Sequence, residues 1–388
     1  MDKTAELLES VKPLLIQWRR QLHQMAELSG CETETAAFVA SELNKMPGMR
    51  LTFPCKTGVV GILEPGCGTF SPAFRADLDA LPISEETGLP FSSKNKGVMH
   101  ACGHDGNAAM LLGAAWVLSR SALPNCRQIR FLFEPGEETP PGFSSAIVAN
   151  GAVDGMDELY AVHVDAFTPV NSIRFCPGYA MAASARFDIC ILGNGGHAAF
   201  PHQCSDIVYA SSELVCKLQG IPSRMIDPVQ PCVITVTSIK SDPVDTFNVV
   251  PSSMHLKGTI RCLQDALLDT VIPMVEKMAA ATAQAYGAKS TFCYEKGYAS
   301  VYNDPRLCAK AQKTTAALFG ESAAITESPV MGGEAFSVYG KYLPSCYMKV
   351  GTMVETGTPY PHHHCKFDIN ENGLWAGTAL MVRLAKEQ

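Results

Sequence analysis

The chain is poor in charge and in the residues that mark specialised classes. Only 18% of its 388 residues are charged, three are tryptophan, and the 31 lysines and arginines fall short of the 38 aspartates and glutamates. The net charge of −7 argues against nucleic acid or an anionic membrane as a main partner, since both reward a basic surface. No apolar run reaches the roughly 20 residues that span a bilayer. The opening Met1-Asp2-Lys3-Thr4-Ala5-Glu6 lacks the apolar core of a secretory signal. There is no low-complexity tract and no internal repeat. Paired cysteine spacing is missing too: the fifteen cysteines are odd in number and scattered. A disulfide scaffold is therefore not expected; a reduced, cytoplasmic protein with most thiols in the core is. What remains is an ordinary globular composition, 47% apolar, in a chain too long for one average domain.

Hydrophobic patterning predicts helices over 5–27 and 33–45, then buried strands at 59–63, 73–76, 129–133 and 159–164. A helix over about 105–120, with Leu111, Ala114, Ala115 and Leu118 on one face, separates the second and third strands. Strands alternating with helices predict an α/β fold covered on both faces. Near residue 180 the pattern changes. Ala185, Phe187, Ile189 and Ile191 alternate with Arg186, Asp188 and Cys190, as in a half-exposed strand. A helix at 205–219, strands at 232–240 and 253–261, a helix at 263–286 and a strand at 290–295 follow. The order β-α-β-β-α-β is that of a ferredoxin-like α+β unit. Helices near 304–319 and 370–386 return the chain to α/β character. The expected organisation is a discontinuous domain of 1–178 and 290–388 with 179–289 inserted.

Four short segments hold most of the chemistry: His100-Ala101-Cys102-Gly103-His104-Asp105, the pair Glu137 and Glu138, His163 at the end of an apolar run, and His362-His363-His364. Thiolate, imidazole and carboxylate are ligands that divalent transition metals accept. Each segment alone is weak. An isolated C-x-H pair is more often a buried thiol near a structural histidine, and a lone histidine among apolar residues usually belongs to the core. Together, at predicted strand ends and at a helix start, they suggest a hydrolytic metal site, with one carboxylate of the acidic pair as ligand and the other as proton carrier. A Cys102 nucleophile at the helix N-terminus is an alternative.

These segments lie in longer stretches that carry a resemblance. RRQLHQMAELS at 19–29, RADLDALPISEETGLP at 75–90, MHACGHDGNAAMLLGAA at 99–115, FEPGEE at 133–138, HVD at 163–165, GNGGHAAFPH at 193–202, NVVPSSMHLKGTIR at 248–261, MGGEAFS at 331–337 and HHHCKFDINENGL at 362–374 occur in that order. The chain resembles the aminoacylase/carboxypeptidase G family of di-metal peptidases, in its N-acyl-amino-acid amidohydrolase branch of hippurate and auxin-conjugate hydrolases.

The resemblance implies two divalent ions, zinc or manganese ahead of cobalt or nickel, on Cys102 as bridging thiolate with His104, Glu138, His163 and His363. His362 and His364 are the alternatives for the last ligand. It further implies Glu137 as general base and Asp79 as the aspartate that orients a ligating imidazole. His197 would help polarise the scissile carbonyl, and Asn248 and Arg261 would hold the substrate's carbonyl or carboxylate. The inserted domain would act as a lid and as a dimerisation element of a homodimer. The family usually has histidine at Asn107, alanine at Gly136, aspartate at Ala335 and proline at Cys365; none of these supplies a ligand. The expected activity is hydrolysis of an N-acyl amino acid to a carboxylic acid and an amino acid. A dipeptidase or carboxypeptidase on the same site and a metal-binding protein without turnover are the rival readings.

Overall fold

A computed structural model of the chain describes residues 3–66, 68–242, 246–355 and 357–387. The residues form two compact units, one of 1–178, 302–328 and 335–388, the other of 179–301 and 329–334. Among the described residues no helix is long and apolar enough to cross a membrane.

The first unit is built on an eight-stranded sheet in the order Met49–Thr52, Val59–Leu63, Ile129–Glu134, Pro72–Asp77, Glu158–Asp165, Ser345–Gly351, Ile173–Phe175, Ala324–Thr326. Val59–Leu63 and Pro72–Asp77 are buried along their whole length, which is why they read as unbroken apolar runs. The four central strands from Ile129–Glu134 to Ser345–Gly351 are mutually parallel. Their carboxyl ends therefore share one edge of the sheet, the edge at which open α/β sheets place their sites. On that edge Asp77 pairs with Glu134, and Lys349 pairs with His163.

Helix His104–Leu118 starts at the same edge. A one-sided apolar stripe was the expectation, but every residue except Trp116 is buried. The helix packs on the strand Pro72–Asp77 on one side and on helices Lys12–Gln24 and Leu374–Lys386 on the other, so it has no solvent face. The single helix expected over 5–27 is two, Lys3–Ser10 and Lys12–Gln24. Pro13 sits in the first turn of the second; it has no N–H to extend the hydrogen bonds of the preceding helix, which stops at Ser10.

The second unit runs Ala183–Leu192, Ile207–Leu218, Cys232–Ser241, Ser253–Cys262, Asp265–Ala285, Lys289–Lys296, in the order β-α-β-β-α-β. Its sheet order is Cys232–Ser241, Ser253–Cys262, Ala183–Leu192, Lys289–Lys296, with every neighbouring pair antiparallel. Both helices pack on this sheet, and Ala185, Phe187, Ile189 and Ile191 are buried while Arg186 is exposed. The expected boundary at 289/290 falls inside the last strand. Lys289–Lys296 pairs with Ala183–Leu192 along its whole length, so backbone hydrogen bonds keep it in this unit, which continues to Val301 and includes 329–334.

Candidate metal centre

Three overlapping groups of donor atoms gather at the carboxyl edge of the large sheet. Cys102, His104 and His163 form one, Cys102, Glu138 and His363 a second, and His104, Glu137 and Glu138 a third; within each group the donors lie within 4.8 Å of one another. The first two share only the sulfur of Cys102, a geometry suited to two ions bridged by one thiolate.

The local backbone explains how these side chains are aimed. Gly103, between Cys102 and His104, has φ +88°, in the left-handed region, and a Cβ there would lie 2.3 Å from Val164 Cγ2. Glycine thus lets the chain turn into the helix while pressed against the strand that carries His163. Gly136 makes the equivalent turn before Glu137 and Glu138, with φ +68° and Phe143 Cδ2 only 2.5 Å from the Cβ an alanine would bring. The buried Glu32 carboxylate accepts the Gly136 N–H at 2.8 Å and anchors that turn. His363 itself is left-handed at φ 67°, and its N–H donates to Ala101 O at 2.8 Å.

Each imidazole of the first group has its Nδ1 occupied. His104 Nδ1 lies 2.8 Å from the Asp79 carbonyl and 3.2 Å from Asp79 Oδ1, and His163 Nδ1 lies 2.9 Å from the Val164 carbonyl. A carbonyl only accepts, so Nδ1 carries a proton in both rings and Nε2 is the atom left to face a metal. His163 Nε2 is 3.7 Å from Cys102 Sγ. His363 Nε2 is 3.3 Å from Glu138 Oε1. Asp79 also accepts from Ser29 Oγ at 2.6 Å and from the Glu138 N–H at 2.9 Å, which ties the acidic turn to the His104 ring.

A divalent ion fits these residues on an observation independent of their identity. Among the described residues His104 Nε2 and Glu138 Oε1 are both buried and make no hydrogen bond; they lie 3.9 Å apart, and that oxygen has His363 Nε2 as its nearer ion-pair neighbour. Leaving such atoms bare is costly, and a cation taken up by both removes the cost. Electrostatics agree. Burial lowers the pKa of His163 to about 4 and of His362 to about 3, so both rings are neutral at pH 7. Burial pushes the Cys102 thiol well up. At His104 burial opposes the charged form, but Asp77 and Asp79 outweigh it and carry its pKa well up, so metal loading must displace a proton from each. Burial opposes ionisation of Asp77, but the charges of His104 and Arg75 outweigh it and hold this carboxyl below the usual range.

The other sequence candidates are distributed as follows. His362 touches Cys102, Nδ1 to Sγ at 3.8 Å, while His364 stacks on Tyr360 at 4.5 Å and stands in none of the donor groups. His100 is buried with neither ring nitrogen bonded and is likewise outside them. Glu137 Oε1 accepts from the Ala335 N–H at 3.2 Å. In the second unit His197 and Asn248 come together: His197 pairs with Val249, and the Ala198 N–H donates to Asn248 O at 2.8 Å. Arg261 Nη1 donates to Met331 O at 2.9 Å.

A buried layer that residue types alone did not reveal lies beneath the candidate ligands. Arg75 binds Asp77 at 2.9 Å and Glu134 at 2.7 Å, and Tyr339 donates to Glu134 at 2.9 Å. Asn107 donates to Asp77 Oδ1 at 2.8 Å and accepts the Val164 N–H at 2.9 Å, so it spans the strands that precede Asp79 and carry His163. One signal was available: Arg75, Asp77 and Asp79 recur at every second residue, the spacing of one face of a strand.

Residues 73–387 match the model of Peptidase family M20/M25/M40. The chain belongs to this family. An N-acyl-L-amino acid amidohydrolase of Geobacillus stearothermophilus is 40% identical over 312 residues, 79% of this chain and 83% of that one. Thermostable carboxypeptidase 1 of Saccharolobus solfataricus is 33% identical over 393 residues, 99% of this chain and 98% of that one. Among solved structures, a Bacillus subtilis protein described as a dinuclear metal binding peptidase from the M20 family superposes with a TM-score of 0.83 at 28% identity, over 97% of this chain and 98% of that one. This M20-family chain is accordingly a hydrolase acting on amide bonds, with a large α/β sheet at its centre.

Proposed function

We propose that this M20-family chain is a metal-dependent amidohydrolase that cleaves N-acyl amino acids, or related small amides, to a carboxylic acid and a free amino acid. The observation that carries this is the divided carboxylate pair. Glu138 Oε1 faces His363 and His104, whereas Glu137 is held by the Ala335 N–H within the same donor cluster. Such a pair suits one ligand and one proton carrier.

Cys102, His104, Glu138, His163 and His363 would hold two divalent ions, zinc or manganese ahead of cobalt or nickel, because availability and geometry choose among them as much as affinity does. When bound, the ions act as Lewis acids and lower the pKa of water from 15.7 to about 7. Glu137 takes a proton from the attacking water as its oxygen joins the acyl carbon, then delivers a proton to nitrogen as the C–N bond breaks. General acid–base catalysis of this kind contributes about 10²–10⁴-fold. His197 Nδ1 accepts from the Ala199 N–H at 3.0 Å, so its ring proton sits on Nε2, the atom that would donate to the developing oxyanion. Arg261 and Asn248 would take the substrate's carboxylate and carbonyl, the former by its bidentate fork. A cytoplasmic homodimer, joined through the second unit, completes the proposal.

The relation to a carboxypeptidase favours one second reading, a dipeptidase or carboxypeptidase-like hydrolase on the same donors. The test is release of free amino acid from a panel of N-acyl amino acids and of dipeptides, with each of the four metals restored separately. Faster turnover of the acylated panel supports the first reading, and faster turnover of dipeptides supports the second. Release from neither overturns both.

A further inference from the structure

Arg19 and His23 open the first resembling stretch, yet nothing proposed above uses them, and they precede residue 73, where the match to the family begins. Arg19 is nonetheless 2% exposed and ionised in the interior. Its Nε donates to Asp105 Oδ2 at 2.9 Å, its Nη2 to Asp368 Oδ1 at 2.9 Å and its Nη1 to Glu371 Oε1 at 3.3 Å. Burial of the guanidinium opposes its charge, and these three carboxylates together overcome that opposition. His23 Nδ1 lies 2.8 Å from the same Asp105 oxygen, with Glu85 on its other side at 3.3 Å.

The positions of these partners set this network apart from an ordinary buried ion pair. Asp105 is peptide-bonded to His104, at the N-terminus of the buried helix. Asp368 and Glu371 follow the segment that carries His362 and His363. Between Gly351 and Glu371 the described residues form neither helix nor strand, so that segment's place depends on discrete fastenings. These include the His363 N–H to Ala101 O, the Asn370 N–H to Thr352 O, the buried Phe367 ring and the Arg19 ion pairs. Arg19 binds the His104 side and the His363 side through one rigid, planar group, whose fork fixes angle as well as distance.

We propose that Arg19 is a positioning residue for the metal shell: its buried guanidinium fastens the helix start bearing His104 to the strap bearing His363, and so sets the spacing of the two donor groups that share Cys102. This rests on the metal shell proposed above. Residues behind a metal site that orient its ligands typically change affinity about 10–100-fold when removed.

The experiment uses the full chain, stripped of metal and titrated with Co²⁺ against a chromophoric chelator while the cobalt absorption is recorded. Asp368→Asn removes the strap arm at a carboxylate that is 31% exposed, and Arg19→Lys keeps the charge but loses the fork. Arg20→Ala removes an exposed partner of Glu371 that also lies over the Phe91 ring, and leaves the three Arg19 pairs in place. Asp368→Asn and Arg19→Lys should weaken at least one Co²⁺ site about 10–100-fold and alter its absorption, with the metal-free Asp368→Asn protein melting below the parent but still folding cooperatively. Arg20→Ala should leave both readouts unchanged. Parental affinity and absorption in Asp368→Asn and Arg19→Lys would overturn the proposal, as would a loss confined to variants whose metal-free form no longer folds. A parent chain that binds no Co²⁺ would overturn the metal shell itself.

Discussion

Replacing Gly103 by alanine places a methyl group between two candidate ligands, in a space the fold does not have. The new Cβ would stand 2.3 Å from Val164 Cγ2 and 3.3 Å from two atoms of the Phe367 ring, both side chains being fully enclosed. The backbone at φ +88° adds a conformational penalty of about 1–2 kcal/mol for any residue with a Cβ. Overpacking a tight interior adds about 1–3 kcal/mol. The sum is a loss of about 2–5 kcal/mol, measured as a lower urea midpoint of the metal-free protein at unchanged slope. Relief must come through Val164, whose carbonyl accepts the His163 Nδ1 proton, or through the turn itself, which separates Cys102 from His104. Metal affinity should therefore fall at least about tenfold along with stability. A Gly103→Ala protein within about 0.5 kcal/mol of the parent, the range of an innocuous surface change, with parental metal affinity would refute this account of the turn.

Glu137→Gln should retain its metal and lose about 10²–10⁴-fold in kcat; near-parental turnover in the metal-loaded variant would remove Glu137 from the chemistry. Asn107→Ala strands the buried Val164 N–H and one oxygen of Asp77, each worth about 1–3 kcal/mol, and chemical denaturation should register a loss of that order. For His23, burial opposes the charged form, but Asp105 and Glu85 raise its pKa from 6.5 to about 9. The protonated ring thus adds about 3 kcal/mol at ~1.36 kcal/mol per pH unit. That contribution is whole below pH 6.5 and disappears as pH rises through about 9. Urea unfolding at the two pH values should show a drop in the parent that His23→Gln lacks, and equal drops in both proteins would contradict it.

The local parts of this protein were readable from its residues, and the long-range parts were not. Apolar runs located the strands Val59–Leu63 and Ile129–Glu134 because burial on both faces leaves an unbroken signature. Alternation located Ala183–Leu192 because one of its faces meets water. By contrast Ser345–Gly351, which carries Lys349 among its apolar residues, gave no clear period, though it is buried between Glu158–Asp165 and Ile173–Phe175. The candidate ligand segments declared themselves by residue type, but which histidine of the triple faces Glu138 depends on the left-handed backbone at His363, which spacing does not encode. Least visible was the Arg19 network, whose partners stand 86, 349 and 352 residues away in the chain. A charged residue on a helix reads by default as solvated, and only the fold reveals that this one is enclosed.

The dependence of amide hydrolysis on metal held by Cys102, His104, Glu138, His163 and His363 underlies every step proposed. It is tested most directly by counting ions and turnover together: dialysis against chelator, then stepwise return of zinc or manganese while hydrolysis of an N-acyl amino acid is followed. The metal-free protein should show no turnover, recovery should be complete at two ions per chain, and Glu138→Ala should lose at least one ion. Full activity in the metal-free protein would contradict it and would return Cys102 to consideration as a nucleophile.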